Sequence, residues 1–345
     1  MSIQIKDFDF RNASEAEYRS YNRLSNLIRA ERLPNDPPVP LEETIQRMQH
    51  APPETIMKIF FWLAWDENQQ AVGYAVLQMG MSDNLHIAQF SINVLPEYRR
   101  QGLGKQFLAK IVETANRNDR SMLISSTMAS VPDGEGFLAH IGAESKLAGH
   151  TNQLKISELD QDMLAEWKTR SQERASGFEL GWWLGDYPSE DMDAILALYE
   201  LFNQQPFGDL EVEDFKFSEE QIRAQEKSMR ASGTERWTLY VREKTSGSFA
   251  GYTEVFWHPN RSEIIQQGIT GVFPKYRNKG LGRLLKAEML EKVLADRPQV
   301  KFVRTENADS NAPMLKINND LGFKPYIAES IWQVSREMAE SYLEG

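Results

Sequence analysis

The chain has 345 residues, 41% hydrophobic and 26% charged, enough for two domains of ordinary size with a core in each. It contains no cysteine, which excludes disulfides, thiolate metal sites and a cysteine nucleophile. A net charge of −11 without a basic footprint argues against a nucleic-acid partner, and no window approaches the ~20 consecutive apolar residues of a membrane-spanning helix.

The first ten residues, MSIQIKDFDF, alternate like a strand and lack the basic-then-apolar pattern of a signal peptide, so the expected location is cytoplasmic. A strand over residues 3–10 precedes helical stretches at 15–32 and 41–50, and two strands at 59–65 and 71–79 follow, joined by a turn rich in Asp and Asn. A strand ending at Val94 runs into a glycine-containing loop. The helix after it carries an apolar stripe of Leu103, Phe107, Leu108, Ile111, Val112 and Ala115. A further strand, a short helix and a closing strand complete the series. Residues 157–175 read as a polar linker helix with Ser157 as its N-cap, and Ser176-Gly177 as a break.

The series then repeats. Strands at 178–184, 237–243 and 250–257, helices at 190–203 and 219–232, and a stripe of Leu281, Leu284, Leu285, Met289 and Val293 follow in the same order. Gly73-Tyr74 returns as Gly251-Tyr252, and VLPEYRRQGLG from Val94 returns as VFPKYRNKGLG from Val272, with one offset: 251 − 73 = 178 and 272 − 94 = 178. Gly142 corresponds to Gly322, an offset of 180 that implies a two-residue length change. The chain is an internal duplication. We expect an N-terminal domain over residues 1–156, a linker helix over 157–176 and a C-terminal domain over 177–345. The acidic run at 211–214 reads as a solvated face, with lining for a cationic substrate as the other reading.

Five scattered histidines have no spacing suited to a metal, and none is expected. The chemistry sits instead in Arg99-x-x-Gly102-x-Gly104 and Arg277-x-x-Gly280-x-Gly282. Each opens a helix, where unpaired N–H groups and the positive dipole end favour a phosphate, and glycine lets the ligand approach the backbone. Basic residues surround both: Arg99, Arg100 and Lys105, then Arg277, Lys279 and Arg283. A P-loop is excluded by Arg99 and Gln106. A Rossmann fingerprint is excluded by Phe107 and Leu285, which stand where a third small residue is needed.

Both loops, with their V-x-P-x-Y-R lead-in, resemble the signature of the Gcn5-related N-acetyltransferase (GNAT) family, and Asn311 with Leu321-Gly322-Phe323 is similar to the end of that motif. The resemblance covers nearly all of the chain as two domains, an organisation similar to that of tandem members such as mycothiol synthase. It implies an α/β (α+β) fold in which each copy is a mixed, mostly antiparallel sheet flanked by helices. It also implies acetyl-CoA as co-substrate without a metal. The backbone of Val94 and Val272 would meet the pantetheine arm. The loops Arg99, Arg100, Gln101, Gly102, Leu103, Gly104, Lys105 and Arg277, Asn278, Lys279, Gly280, Leu281, Gly282, Arg283 would hold the diphosphate, and Asn311 would order the cofactor.

The acid–base pair that the resemblance implies falls on Ala88 and Gln266 for the base and on Leu138 and Asn318 for the acid, none of which can take up or release a proton at neutral pH. Direct transfer by positioning remains open. Glu254, Glu263 and Glu306 are the candidate proton acceptors, with Glu254, which replaces Val76 of the first copy, the first choice; Gln266 and Asn318 are candidate substrate contacts. The second copy is the expected catalytic one. The first lacks the Asn and Gly-Phe elements and is read as degenerate, binding cofactor structurally or serving as a remnant that shapes the substrate cleft. The expected reaction is acetyl transfer to a primary amine of a small molecule by a monomer or homodimer. A non-catalytic acyl-CoA-binding sensor and a peptide or protein N-acetyltransferase are the alternatives.

Overall fold

A computed structural model describes residues 3–345. In chain order the first repeat contains β1 (Gln4–Asp7), α1 (Glu15–Arg32), α2 (Leu41–Gln49), β2 (Met57–Trp65), β3 (Ala71–Gly80), β4 (Ile87–Val94), α3 (Leu103–Arg117), β5 (Met122–Met128), α4 (Pro132–His140) and β6 (Glu144–Lys155). The linker helix is α5 (Gln161–Arg174). The second repeat contains β7 (Phe178–Leu184), α6 (Met192–Tyr199), α7 (Glu219–Ser232), β8 (Glu235–Glu243), β9 (Phe249–Trp257), β10 (Ile264–Val272), α8 (Leu281–Asp296), β11 (Phe302–Ala308), α9 (Ala312–Asp320), β12 (Lys324–Ser335) and α10 (Arg336–Glu344). This is the mixed, mostly antiparallel α/β arrangement that the resemblance implied.

Local chemistry sets the helix starts. Ser14 and Glu17 form a reciprocal capping box on α1, as Ser218 and Gln221 do on α7. The linker helix begins later than expected: Asp160, not Ser157, accepts from the Met163 amide, and residues Ile156–Glu158 make a 3-10 turn. The helix expected over 190–203 is shorter, with α6 flanked by 3-10 turns at Ser189–Asp191 and Glu200–Gln204.

The chain packs as two compact units that do not coincide with the two repeats. One comprises residues up to Ala148, Phe207–Asp214 and Ile327–Gly345; the other comprises Gly149–Pro206 and Phe215–Tyr326. Hydrogen bonding explains the partition. In the first unit the strands run in the order β1-β2-β3-β4-β5-β12, closed by Glu329–Ser335 lying antiparallel to β5. In the second the order is β7-β8-β9-β10-β11-β6, closed by Gly149–Lys155 antiparallel to β11. Each sheet is therefore finished by the last strand of the other repeat.

The first unit buries Trp62, Ala64, Ala75 and Leu77 with Phe107, Leu108 and Ile111 of α3. On the alternate face of the same strands, Phe61 and Leu63 pack with Tyr18 and Tyr21 of α1 and Met48 of α2. The acidic segment 207–214 is not simply a solvated face. The Glu211 and Glu213 amides donate to Gln333 Oε1 and Asn84 Oδ1, which tie it to this unit as backbone. In the second unit Leu239, Val241 and Val255 face Leu284, Leu285 and Met289 of α8, while Tyr252 packs with Ile195, Leu198 and Ile222 of α6 and α7.

Candidate functional site

The two loops adopt one conformation. Arg100 and Asn278 have φ of +59° and +64°, and Gly102 and Gly280 have +82° and +81°, so two left-handed residues turn each chain into its helix. Arg99 Nε donates to the Val94 carbonyl at 3.0 Å, and Arg277 Nε to the Val272 carbonyl at the same distance, which pins each loop to the end of its strand. The α3 and α8 tips open without a side-chain cap, leaving their first amides for a ligand.

Behind each loop two strands separate. The parallel ladder of β4 with β5 covers only Ile87–Gln89 against Met122–Ile124, although β4 continues to Val94 and β5 to Met128. In the first unit this opening is part of a cavity of about 490 Å³. Ile92, Asn93 and Val94 form one lip and Ser126, Thr127 and Met128 the other; Gly102, Leu103, Gly104 and Lys105 line the mouth. Arg99 pairs with Glu31 and Asp133 there, and the Glu31 hydrogen bond first of all holds its guanidinium pKa above the ordinary value. Gln101 turns back to the Glu97 carbonyl, and Lys105 lies 5.3 Å over the Tyr342 ring. Around Gly102 the nearest side-chain atom to a hypothetical Cβ is Gln106 Nε2 at 3.9 Å.

The second loop has different neighbours. A Cβ on Gly280 would meet Ser171 Oγ of α5 at 3.3 Å, and one on Gly271 would meet Leu201 at 3.0 Å. Its basic groups already have partners. Arg277 bonds Gln204, Arg283 bonds Asp320 and lies 4.9 Å over Trp167, and Lys279 lies 5.1 Å over Phe178. Leu281 is buried and Gly282 faces Ile317. Asn311 is the N-cap of α9, accepting from the Met314 amide at 3.4 Å.

The three polar candidates lie apart. Gln266 is exposed on β10. Glu254 is buried on β9 and accepts the Ile269 amide at the β10 bulge, while its Oε2 has no partner. Burial pushes its pKa up to about 7 against the pull of Arg236. A Cβ on Gly268 would lie 2.9 Å from Glu254 Cγ, so the bulge glycine makes room for this carboxylate. Asn318 faces the other side of the sheet, fully buried: its Oδ1 accepts from Lys286 Nζ at 2.7 Å and its Nδ2 donates to Asn307 Oδ1 at 2.7 Å. Lys286 also donates to Gln267 Oε1 at 2.9 Å, and Gln267 Nε2 to Thr253 Oγ1 at 3.2 Å. Burial pushes the Lys286 pKa down to about 7.

Sequence reasoning missed this buried chain. Its signal was a lysine inside the apolar stripe of α8, where the first copy has Leu108 (286 − 178 = 108). Gln267 was hidden by the bulge. Ile264 and Ile87 open equivalent ladders at an offset of 264 − 87 = 177, so Gln266 matches Gln89 and Gln267 matches Phe90. Among the described residues no group of three or more His, Asp or Glu side chains is placed to hold a metal, and no helix is long and apolar enough to cross a membrane.

Comparisons with known proteins agree with this geometry. Residues 21–132 match the model described as the Acetyltransferase (GNAT) family. A tandem GNAT protein from the clavulanic acid biosynthesis pathway, solved without AcCoA, superimposes with a TM-score of 0.78 at 23% identity, over 97% of this chain and 99% of that one. A GCN5-related N-acetyltransferase from Sphaerobacter thermophilus superimposes with a TM-score of 0.67 at 14% identity, over 97% and 96%. A putative acetyltransferase from Pyrococcus horikoshii gives 0.53 at 13% identity, over 96% and 89%. A search of curated proteins finds no match. The chain has a tandem GNAT fold, and residues 21–132, within its first copy, match the GNAT acetyltransferase family model.

Proposed function

We propose that the protein transfers an acetyl group from acetyl-CoA directly to a primary amine of a small molecule, and that the first copy holds the acetyl-CoA. The observation that carries this reading is the cavity of about 490 Å³ that runs from the α3 tip into the gap between β4 and β5. Its mouth offers backbone amides with Arg100 and Lys105 for a diphosphate, while Arg99 is committed to Glu31 and Asp133. The gap leaves the edge of β4 near Val94 for the pantetheine arm. Bound acetyl-CoA supplies the acyl group as a thioester: the amine nitrogen bonds to its carbonyl carbon, the C–S bond breaks, the amine's proton goes to water and the thiolate takes one from solvent. The site residues contribute positioning, a resource that needs no acid–base pair.

Glu254 favours a second reading, with transfer in the second copy. A buried carboxylate beside the β10 bulge with a pKa near 7 suits proton removal from an amine. Calorimetry with CoA and assays of thiol release separate the two. The first reading expects Gly102→Val to weaken CoA binding about tenfold or more and to lower turnover with it, while Glu254→Gln retains both. Loss of turnover in Glu254→Gln with CoA binding intact would move the reaction to the second copy. CoA binding without turnover on any amine would make the protein a sensor.

A further inference from the structure

The cationic groups of the first cavity divide into two sets. Arg100 and Lys105 stand at the mouth, beside the α3 tip. Arg32, the last residue of α1, lines the wall of the same cavity. Its guanidinium donates to Asn93 Oδ1, and no carboxylate among the described residues pairs with it. The acid beside it, Glu31, is committed to Arg99, as is Asp133. Asn93 is 5% exposed and stands opposite Tyr74 in the β3–β4 register, on the face of the sheet covered by α1 and α2 rather than by α3. Tyr74 and Tyr21 on that face are both neutral phenols whose pKa burial raises, so they do not neutralise the arginine.

A ligand whose diphosphate sits at the α3 tip enters from the α3 side and leaves the α1 side for the second substrate. An arginine whose hydrogen-bond partner is a neutral amide keeps donors free for a planar anion, and a carboxylate fits its fork in a bidentate pair. We propose that Arg32, braced by Asn93, binds a carboxylate on the acceptor, so that the amine substrate is of the amino-acid class, an amine and a carboxylate on one small molecule. This rests on acetyl-CoA occupying the first cavity.

The test compares matched acceptors, 4-aminobutyrate against butylamine and L-amino acids against their decarboxylated amines, in the wild type, Arg32→Met and Arg32→Lys. Thiol release from acetyl-CoA should favour the carboxylated member by about tenfold or more in kcat/KM, mainly through KM. Arg32→Met should remove most of that ratio, and Arg32→Lys should keep part of it. No preference in the wild type, or the same ratio in Arg32→Met, overturns the assignment. An Arg32-dependent preference for succinyl-CoA over acetyl-CoA also overturns it, because the anion would then belong to the acyl group. Calorimetry with CoA reports on the underlying reading separately. Without CoA, an Arg32-dependent rise in Tm with 4-aminobutyrate supports the carboxylate site even if CoA binds elsewhere; its absence counts against the site.

Discussion

Lys286 Nζ lies 2.7 Å from Asn318 Oδ1, and both side chains are buried in the second unit. Where the first copy has Leu108, Leu138 and Phe90, the second has Lys286, Asn318 and Gln267 joined by hydrogen bonds. The three polar residues therefore stand or fall together. Lys286→Met strands two buried amide oxygens, each costing about 1–3 kcal/mol. We expect the triple change to Phe, Met and Leu at positions 267, 286 and 318 to cost less than the sum of the three single changes, read from urea unfolding.

The same lysine sets a pH dependence. Its folded pKa of about 7 is below the ordinary 10.5, so between these values the unfolded chain binds more protons and stability rises with pH. Unfolding midpoints should climb from pH 7 toward pH 10, and Lys286→Met should flatten that slope. A slope retained in the variant would show that Lys286 is not its source.

Glu254 acts in the opposite sense over a lower window. Its pKa rises from 4.5 to about 7 on folding, so the folded state binds more protons between these values and stability falls as pH increases. Glu254→Gln should remove that decline and stabilise the protein at pH 8 by up to about 3 kcal/mol. Melting curves from pH 4.5 to 8 measure it.

The loop glycines should differ. At Gly102, φ of +82° makes Gly102→Val strained but meets open space, so the expected loss is in CoA affinity, about tenfold or more. At Gly280 the added side chain meets Ser171 of α5, so Gly280→Val should lower Tm more than Gly102→Val does. Calorimetry and thermal melts on both variants report the two effects.

Asn311 separates a cap from a cofactor contact. Asn311→Ala should cost about 1 kcal/mol, and Asn311→Asp should restore stability. A loss of CoA affinity in both variants at unchanged stability would assign the residue to the ligand instead.

Much of the fold was legible because its signals are local. The constant offset of the repeat and the glycines at the left-handed turns before α3 and α8 are read directly from the sequence, whereas the linker cap fell three residues from its expected place, on Asp160 rather than Ser157. The bulge in β10 was not legible. One inserted residue changes the pairing from Gln267 onward, so a uniform offset set Gln266 against Ala88 when it matches Gln89. Asn318 was noticed, with Leu138, as standing where the resemblance implies an acid, but its partner Lys286 lies on another helix, and only packing brings them together. Arg32 carried no signal at all. An arginine ending a helix is common, and what distinguishes it is that its acidic neighbour has been taken by a residue 68 positions away.

The exchange of closing strands has a consequence for how the protein is made. The first unit needs residues 327–345, and the second borrows 149–155 from the earlier repeat. During synthesis the sheet β1-β2-β3-β4-β5 waits on the ribosome with the β5 edge bare until nearly all of the remaining chain has emerged. A gene cut between the repeats would yield two fragments that each expose an unpaired edge, and co-expression of the halves, rather than either half alone, is the route to soluble material.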